Sequence, residues 1–257
     1  MNSVITAKIL TLLVCYVGGP GTAKQSEPVL EKFMRTIEAA TGWAKDSVQG
    51  VYRTRLSECQ SYVDKNRPNA IVVDLPTYLK KHKAWKLEPL AHMGAATKKQ
   101  YFVLVREGSY KTLAALKGKT LVTTLAKDAR FISRAVFAKK LDAAKHFVLK
   151  RTRRALKGIR KVARGQADAT LVDEAAFAHL KNLPLPKKLT AIFSSGKLPG
   201  LTLTLVSGTK AKLKKSLKKA LPKICRGEGG KLCQTFSVSS FSPAKAALYR
   251  KLQKAYK

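Results

Sequence analysis

Gly18, Gly19 and Gly21, followed by Thr22, are the residues of this 257-residue chain whose types and spacing suit them to hold an anion. A glycine turn exposes backbone N–H groups with no side chain in the way, and the threonine adds a hydroxyl. The segment 18–25 (GGPGTAKQ) has the outline of a nucleotide phosphate loop, G-x-x-x-x-G-K-[ST]. It departs at two informative positions. Ala23 replaces the glycine before the lysine, and Gln25 replaces the hydroxyl that holds Mg²⁺, so nucleotide hydrolysis is not expected. No catalytic set assembles either. His82, His92, His146 and His179 are scattered among unlike segments, and Ser194-Ser195-Gly196 lacks the G-x-S-x-G of a nucleophile elbow. The expectation is a protein that is not an enzyme and uses no metal or cofactor.

The cysteines suggest different chemistry. Cys225 and Cys233 enclose a flexible seven-residue loop, RGEGGKL, that can close a small disulfide in an oxidising compartment. Zinc is disfavoured because no C-x-x-C or nearby His pair accompanies them. Cys15, inside an apolar run, and Cys59, inside a helical pattern, read as buried thiols.

These groups need a scaffold. The run 9–17 (ILTLLVCYV) does not alternate, which suits a strand covered on both faces. Its other reading is a signal peptide: Lys8, a short apolar core, and a small-residue cleavage site at 21–23. A helix is expected from about Glu27, with Pro28 in its first turn and Leu30, Phe33, Met34, Ile37 and Ala40 on one face; Gly42 ends it. Strand signals at 48–54, 69–75, 87–93, 101–105, 120–125, 147–149, 169–172, 189–193 and 201–206 alternate with helical ones. The helices include 128–140, one capped by Thr152, the lysine-rich 210–223, and a last one starting at Ser242-Pro243. That alternation argues for a parallel α/β architecture, in which ligands bind outside the carboxyl ends of the strands.

Charge is the outlier in composition. Lys and Arg number 51 against 15 Asp and Glu, a net +36. Such a surface attracts anions, whether small solutes, nucleic acid or an acidic membrane face. The basic residues are spread over almost every segment, and no zinc-finger, RNA-binding or helix-turn-helix pattern accompanies them. No apolar run approaches the ~18 residues of a membrane-spanning helix.

Four places together resemble a known family. They are the opening strand and glycine turn before an E-P-x-L-E-x-F helix; 71–78 (IVVDLPTY); 101–105 (YFVLV) with 113–120 (LAALKGKT); and 164–173 (RGQADATLVD) with 194–200. Their order is similar to that of the phosphate/phosphonate-type solute-binding proteins of ABC transporters, which have the type 2 periplasmic binding fold. The resemblance covers nearly the whole chain. It implies two α/β lobes, each a mostly parallel sheet flanked by helices: lobe one from 8–98 and 192–257, lobe two from 99–191. Two hinge strands would cross near 97–101 and 190–195, and the lobes would close on a ligand.

The family's hydroxyl-rich turn at the first helix of lobe two is matched here by 123–130 (TTLAKDAR). Thr123 and Thr124 keep two hydroxyls, and Lys127 and Arg130 add charge. Asp173 matches a position where a carboxylate can meet a ligand amine; its other reading is a helix cap. Tyr52, Arg53, Asp74 and Tyr78 match the rim of lobe one, with turn and packing roles as the alternatives. The resemblance further implies a small anionic or zwitterionic solute, a permease partner, a monomer, and a periplasmic or extracytoplasmic location. The alternative is a basic protein, cytoplasmic or not, that uses the fold to bind nucleic acid or an acidic surface without transporting a solute.

Overall fold

The computed structural model describes residues 9–19, 21–93, 99–235, 238 and 240–257. Lys8, Pro20 and Thr97, each part of a sequence expectation, lie outside the described residues. The elements run β1 (Leu10–Cys15), α1 (Ala23–Thr41), β2 (Val48–Arg53), α2 (Leu56–Asn66), β3 (Ala70–Val73), α3 (Leu75–Lys81) and β4 (Leu87–Met93). Then come β5 (Tyr101–Arg106), β6 (Thr120–Thr123), α4 (Ala129–Phe131), α5 (Ala143–His146), β7 (Val148–Arg151), α6 (Ala155–Ala163), β8 (Ala169–Asp173), α7 (Glu174–Ala178) and β9 (Leu189–Ser194). The chain ends with β10 (Thr202–Val206), α8 (Ala211–Ile224), α9 (Glu228–Thr235), β11 (Phe241–Pro243) and α10 (Ala246–Tyr256).

Two compact units result, each built on one sheet. The first comprises residues up to Thr97 with Pro199–Arg250, the second Lys98–Leu198 with Lys251–Lys257. The second unit therefore takes more of the chain than the expected 99–191. β9 continues to Ser194 along β5, and Leu198 and Lys99 exchange backbone hydrogen bonds of 2.6 and 2.8 Å. At the C-terminus the Tyr256 hydroxyl donates to both oxygens of Asp128, at 3.1 and 3.2 Å.

The first sheet has the order β11-β4-β10-β3-β1-β2. β1 lies between β2 and β3 and is parallel to both, so the apolar run is an interior strand. Leu13 and Cys15 are fully buried. β10 and β11 run antiparallel to their neighbours. In the second sheet, β7-β6-β8-β5-β9, β6 pairs in parallel with β7 and β8, whereas β5 is antiparallel to β8 and β9. Most strands of each sheet run one way, as expected: only β10 and β11 oppose the other four in the first sheet, and only β5 opposes the other four in the second, because the strand that enters after a crossing is laid down in the opposite sense.

α1 begins four residues earlier than its composition suggests. Thr22 and Gln25 form a capping box, and Gly42 closes the helix at φ 72°. Pro28 accordingly sits inside the helix, not at its start. Leu30, Phe33, Met34 and Ile37 pack on Leu10, Leu12 and Val72, joined by Leu217, Leu221 and Ile224 of α8. Burial of each such side chain contributes roughly 1.5–3 kcal/mol. Buried Glu38 ties α1 to the sheet, accepting from the Val48 N–H at 2.8 Å and from Arg35 at 2.7 Å.

Three local expectations change. The helix expected over 128–140 is a single α-turn, α4, continued by a π-turn over Ile132–Val136. Thr152 is buried but does not cap α6, whose N-cap is Arg154. Phe241–Pro243 is an edge strand, and the last helix starts only at Ala246.

Both cysteine pairs are bonded. Cys225–Cys233 closes the small loop. Cys15–Cys59 corrects the reading of two buried thiols. The parallel register sets Cys15 opposite Arg53, and α2, which starts three residues later, brings Cys59 over the end of β1.

Candidate functional site

In each unit the parallel strands end on one edge, where the glycine turn, Tyr52, Asp74, Thr123, Thr124 and Asp173 are found, whereas Arg130 is not part of that edge. In the first unit the ends of β1, β2 and β3 supply the glycine turn, Tyr52-Arg53 and Asp74. Antiparallel pairing sets the start of β10 and the end of β4 at the same edge, Thr202 lying opposite both Val73 and His92. The edge that gathers the candidate residues is thus also the one where the chain leaves and re-enters the unit.

The glycine turn is bound tightly to its neighbours. Gly18 donates its N–H to Thr54 O and Gly19 to Tyr16 O, both at 3.0 Å. A Cβ on Gly19 would lie 2.5 Å from the Tyr52 hydroxyl and 2.7 Å from the Tyr16 ring, so only glycine fits. Gly21 adopts φ 71° and leads into Thr22, whose N–H and hydroxyl both donate to Gln25 Oε1. Ala23 and Lys24 open α1 with N–H groups that have no acceptor among the described residues. They point to the positive end of a 19-residue helix with no acid in its first turn.

Tyr52 stands beside this turn. Burial first, then the neighbouring Tyr16, push its hydroxyl up to about 12, so it stays a neutral donor at physiological pH. Arg53 donates Nη1 to Tyr52 O at 2.9 Å. Asp74 is buried and caps α3, accepting the Thr77 N–H at 3.0 Å. Tyr78 is 1% exposed; its ring meets Tyr249 edge-on at 4.9 Å and stacks on His82 at 5.4 Å.

In the second unit the ends of β6 and β8 supply Thr123-Thr124 and Asp173. Thr123 is 1% exposed, and its hydroxyl accepts the Leu125 N–H at 3.2 Å. Thr124 is half-buried. Asp173 caps α7 through the Ala176 N–H at 3.0 Å and forms a 2.8 Å ion pair with Lys99. Burial alone would raise its carboxyl; the charge and hydrogen bond of Lys99 more than offset that and hold it below its ordinary value.

Sequence reasoning missed Lys99. Its place depends on the antiparallel register that sets Tyr101 opposite Asp173, and no pattern within 99–101 announces it. Ser195 belongs to the same edge. It is 3% exposed, accepts the Tyr101 N–H on its hydroxyl at 2.9 Å and accepts the Gln100 side-chain amide on its carbonyl at 2.9 Å.

Arg130 lies farther along the chain in α4. It is exposed, with its guanidinium 5.7 Å from the centre of the Tyr256 ring, and it lines an open groove with Ser133, Arg134, Lys139 and Asp142. Among the described residues no group of His, Cys, Asp and Glu has the arrangement of a metal site.

Comparison with known proteins places this architecture. A family profile described as "ABC transporter, phosphonate, periplasmic substrate-binding protein" matches residues 23–249. Among solved structures, the chain is similar to a binding protein component of a phosphonate ABC transporter from Pseudomonas aeruginosa. The TM-score is 0.73 at 15% identity, covering 98% of this chain and 87% of that one. A Xanthomonas citri protein bound to ATP matches with a TM-score of 0.75 at 12% identity, over 96% and 95% of the two chains. PhnD1 from Prochlorococcus marinus in complex with methylphosphonate matches with a TM-score of 0.71 at 12% identity, over 96% and 97%. No protein of curated function matches in sequence.

Proposed function

Because the chain belongs to the periplasmic substrate-binding proteins of phosphonate ABC transporters, we propose that it takes up a small phosphate- or phosphonate-like anion between its two lobes and delivers it to a membrane permease. One observation carries this reading. In each unit the strand edge that gathers the candidate residues is also the edge where the chain crosses, which is where a hinged binder needs its ligand groups.

The chemistry of the edges supports an anion. The first offers the opening amides of α1, the neutral Tyr52 hydroxyl and Arg53. Gly18, Gly19, Gly21 and Thr22 shape that turn, and Asp74 and Tyr78 support the rim from behind. In the second, Thr124 lies at the edge, Thr123 braces it, and Arg130 adds charge from α4. Lys99 neutralises Asp173, which removes the acid that would repel a phosphonate. An extracytoplasmic location agrees with both disulfides, since such bonds persist where the environment is oxidising.

Thermal-shift measurements with phosphate, alkylphosphonates, sulfonates, amino acids and ATP test the proposal. Stabilisation by phosphate or a phosphonate is the expected result. Stabilisation by amino acids alone, or by none of these compounds, overturns it.

A further inference from the structure

The strand-and-helix unit formed by β7 and α6 carries a dense run of charge, comparable to that of α8. The stretch 150–164 (KRTRRALKGIRKVAR) holds eight lysines and arginines and no acid, and all eight are exposed. Among the described residues none of them takes part in an ion pair. β7 is an outer strand of its sheet, and Lys150 and Arg151 are there the ordinary protection of an open edge. That reason does not extend to α6. Its buried face is Gly158, Ile159, Val162 and Ala163, while Lys157, Arg160, Lys161 and Arg164 make up its solvent side.

Two apolar side chains interrupt the charge. Val148, 49% exposed, and Leu156, 38% exposed, are two of the three exposed large hydrophobic residues among those described. Each keeps a large part of its apolar surface in solvent. A nucleic-acid surface would pair such charge with aromatic or hydrogen-bonding side chains that read or stack on bases. Residues 148–164 contain no aromatic residue, Asn or Gln. Exposed aliphatic side chains among unpaired cations instead match an anionic lipid surface, where cations meet headgroup phosphates and aliphatic tips enter the interface.

We propose that β7 and α6 form a peripheral docking surface for anionic phospholipid, which keeps the protein at the membrane face independently of its solute. The surface does not depend on the ligand reading above, and its test separates the two.

The full chain is floated with vesicles of phosphatidylcholine alone and with vesicles in which roughly a third of the lipid is phosphatidylglycerol. Binding is expected only to the anionic vesicles, and weaker at high salt. Lys157→Glu, Arg160→Glu, Lys161→Glu and Arg164→Glu together should lower partitioning about tenfold or more. Reversal of Lys212, Lys215, Lys218 and Lys219 on α8, four other exposed cations, changes the net charge equally and should lower it far less. Val148→Ser with Leu156→Ser should reduce the fraction that stays bound at high salt. Equal losses from the α6 and α8 reversals would reduce the effect to overall charge and overturn the proposal. So would an absence of vesicle binding, with or without duplex DNA retention that the α6 reversals abolish. The α6 variant should keep the cooperative thermal unfolding of the parent protein, which shows that it is folded whether or not a solute binds.

Discussion

Lys99 and Asp173 meet at 2.8 Å where β5 begins and β8 ends, so the acid that closes β8 at the strand edge of the second sheet is held by a cation from the protein itself. Asp173→Asn should release the ammonium toward the edge, tightening the affinity for a dianionic phosphonate while lowering stability by about 1–3 kcal/mol. Lys99→Met should do more harm, since it leaves a carboxylate with little solvent around it and removes a cation from the edge. Titration calorimetry and urea unfolding separate the two effects. Because the folded carboxyl sits below its ordinary value, the pair's contribution is complete above that ordinary value and is lost as pH falls through the folded one. An aminoalkylphosphonate should bind no better than methylphosphonate, because its amine finds Asp173 already paired.

Gly19 and Tyr52 make a second constraint. A methyl group on residue 19 would lie 2.5 Å from the Tyr52 hydroxyl, so Gly19→Ala must displace the phenol or the turn. The expected cost is about 1–3 kcal/mol in stability. Ligand affinity should fall about tenfold as the opening amides of α1 shift. Tyr52→Phe in the same chain should recover only part of the loss, since the Tyr16 ring at 2.7 Å still opposes the methyl. Unchanged affinity in Gly19→Ala would remove the glycine turn from the site.

The two disulfides should differ in worth. Cys15–Cys59 closes a sequence separation of 44 and Cys225–Cys233 one of 8. On chain entropy alone these correspond to about 4 and about 2.5 kcal/mol. Cys15→Ser with Cys59→Ser should therefore be the more destabilising pair in denaturant titrations. It should also loosen the glycine turn, which begins at Gly18, three residues after Cys15, so that affinity falls together with stability.

Features set by local rules were legible in the sequence, and features set by register were not. The strand at 9–17, the apolar face of α1, the stop at Gly42 and the loop between Cys225 and Cys233 follow from neighbours in the chain. The Cys15–Cys59 and Lys99–Asp173 pairs arise from how distant strands are laid side by side. The direction of β10 was equally hidden, because its residues read the same in a parallel or an antiparallel ladder. The region 128–140 misled for a different reason. Phe131, Ile132, Val136 and Phe137 are all buried, and the Phe137 N–H reaches Ile132 O at 2.9 Å, one residue beyond an α-turn. A reading based on 3.6 residues per turn extends such a segment as a plain helix, whereas Ala138 and Lys139 end it at φ 50° and 65°.

His92 supplies the remaining prediction. It is 1% exposed, stacks on Tyr249 with ring centres 5.5 Å apart, and shares a 3.1 Å hydrogen bond between its Nδ1 and the Tyr249 hydroxyl. That hydroxyl also meets Thr202 Oγ1 at 2.6 Å, so the end of β4, the start of β10 and α10 are joined through one buried group. Burial pushes the imidazole below its ordinary value. Between the ordinary and the folded value the unfolded chain binds the extra proton and the folded chain does not, so stability rises with pH across that window. Acidification from about pH 6.5 downward should therefore weaken the first unit until the folded value is reached. His92→Gln keeps a hydrogen-bonding side chain without a titrating ring, and should flatten this part of the stability profile. Tyr249→Phe should leave the pH dependence in place while lowering stability by about 1 kcal/mol at every pH, as loss of one buried hydrogen bond requires. Urea unfolding of the three proteins between about pH 5 and pH 8 reads both effects, and an unchanged slope in His92→Gln would assign the acid sensitivity to the carboxylates.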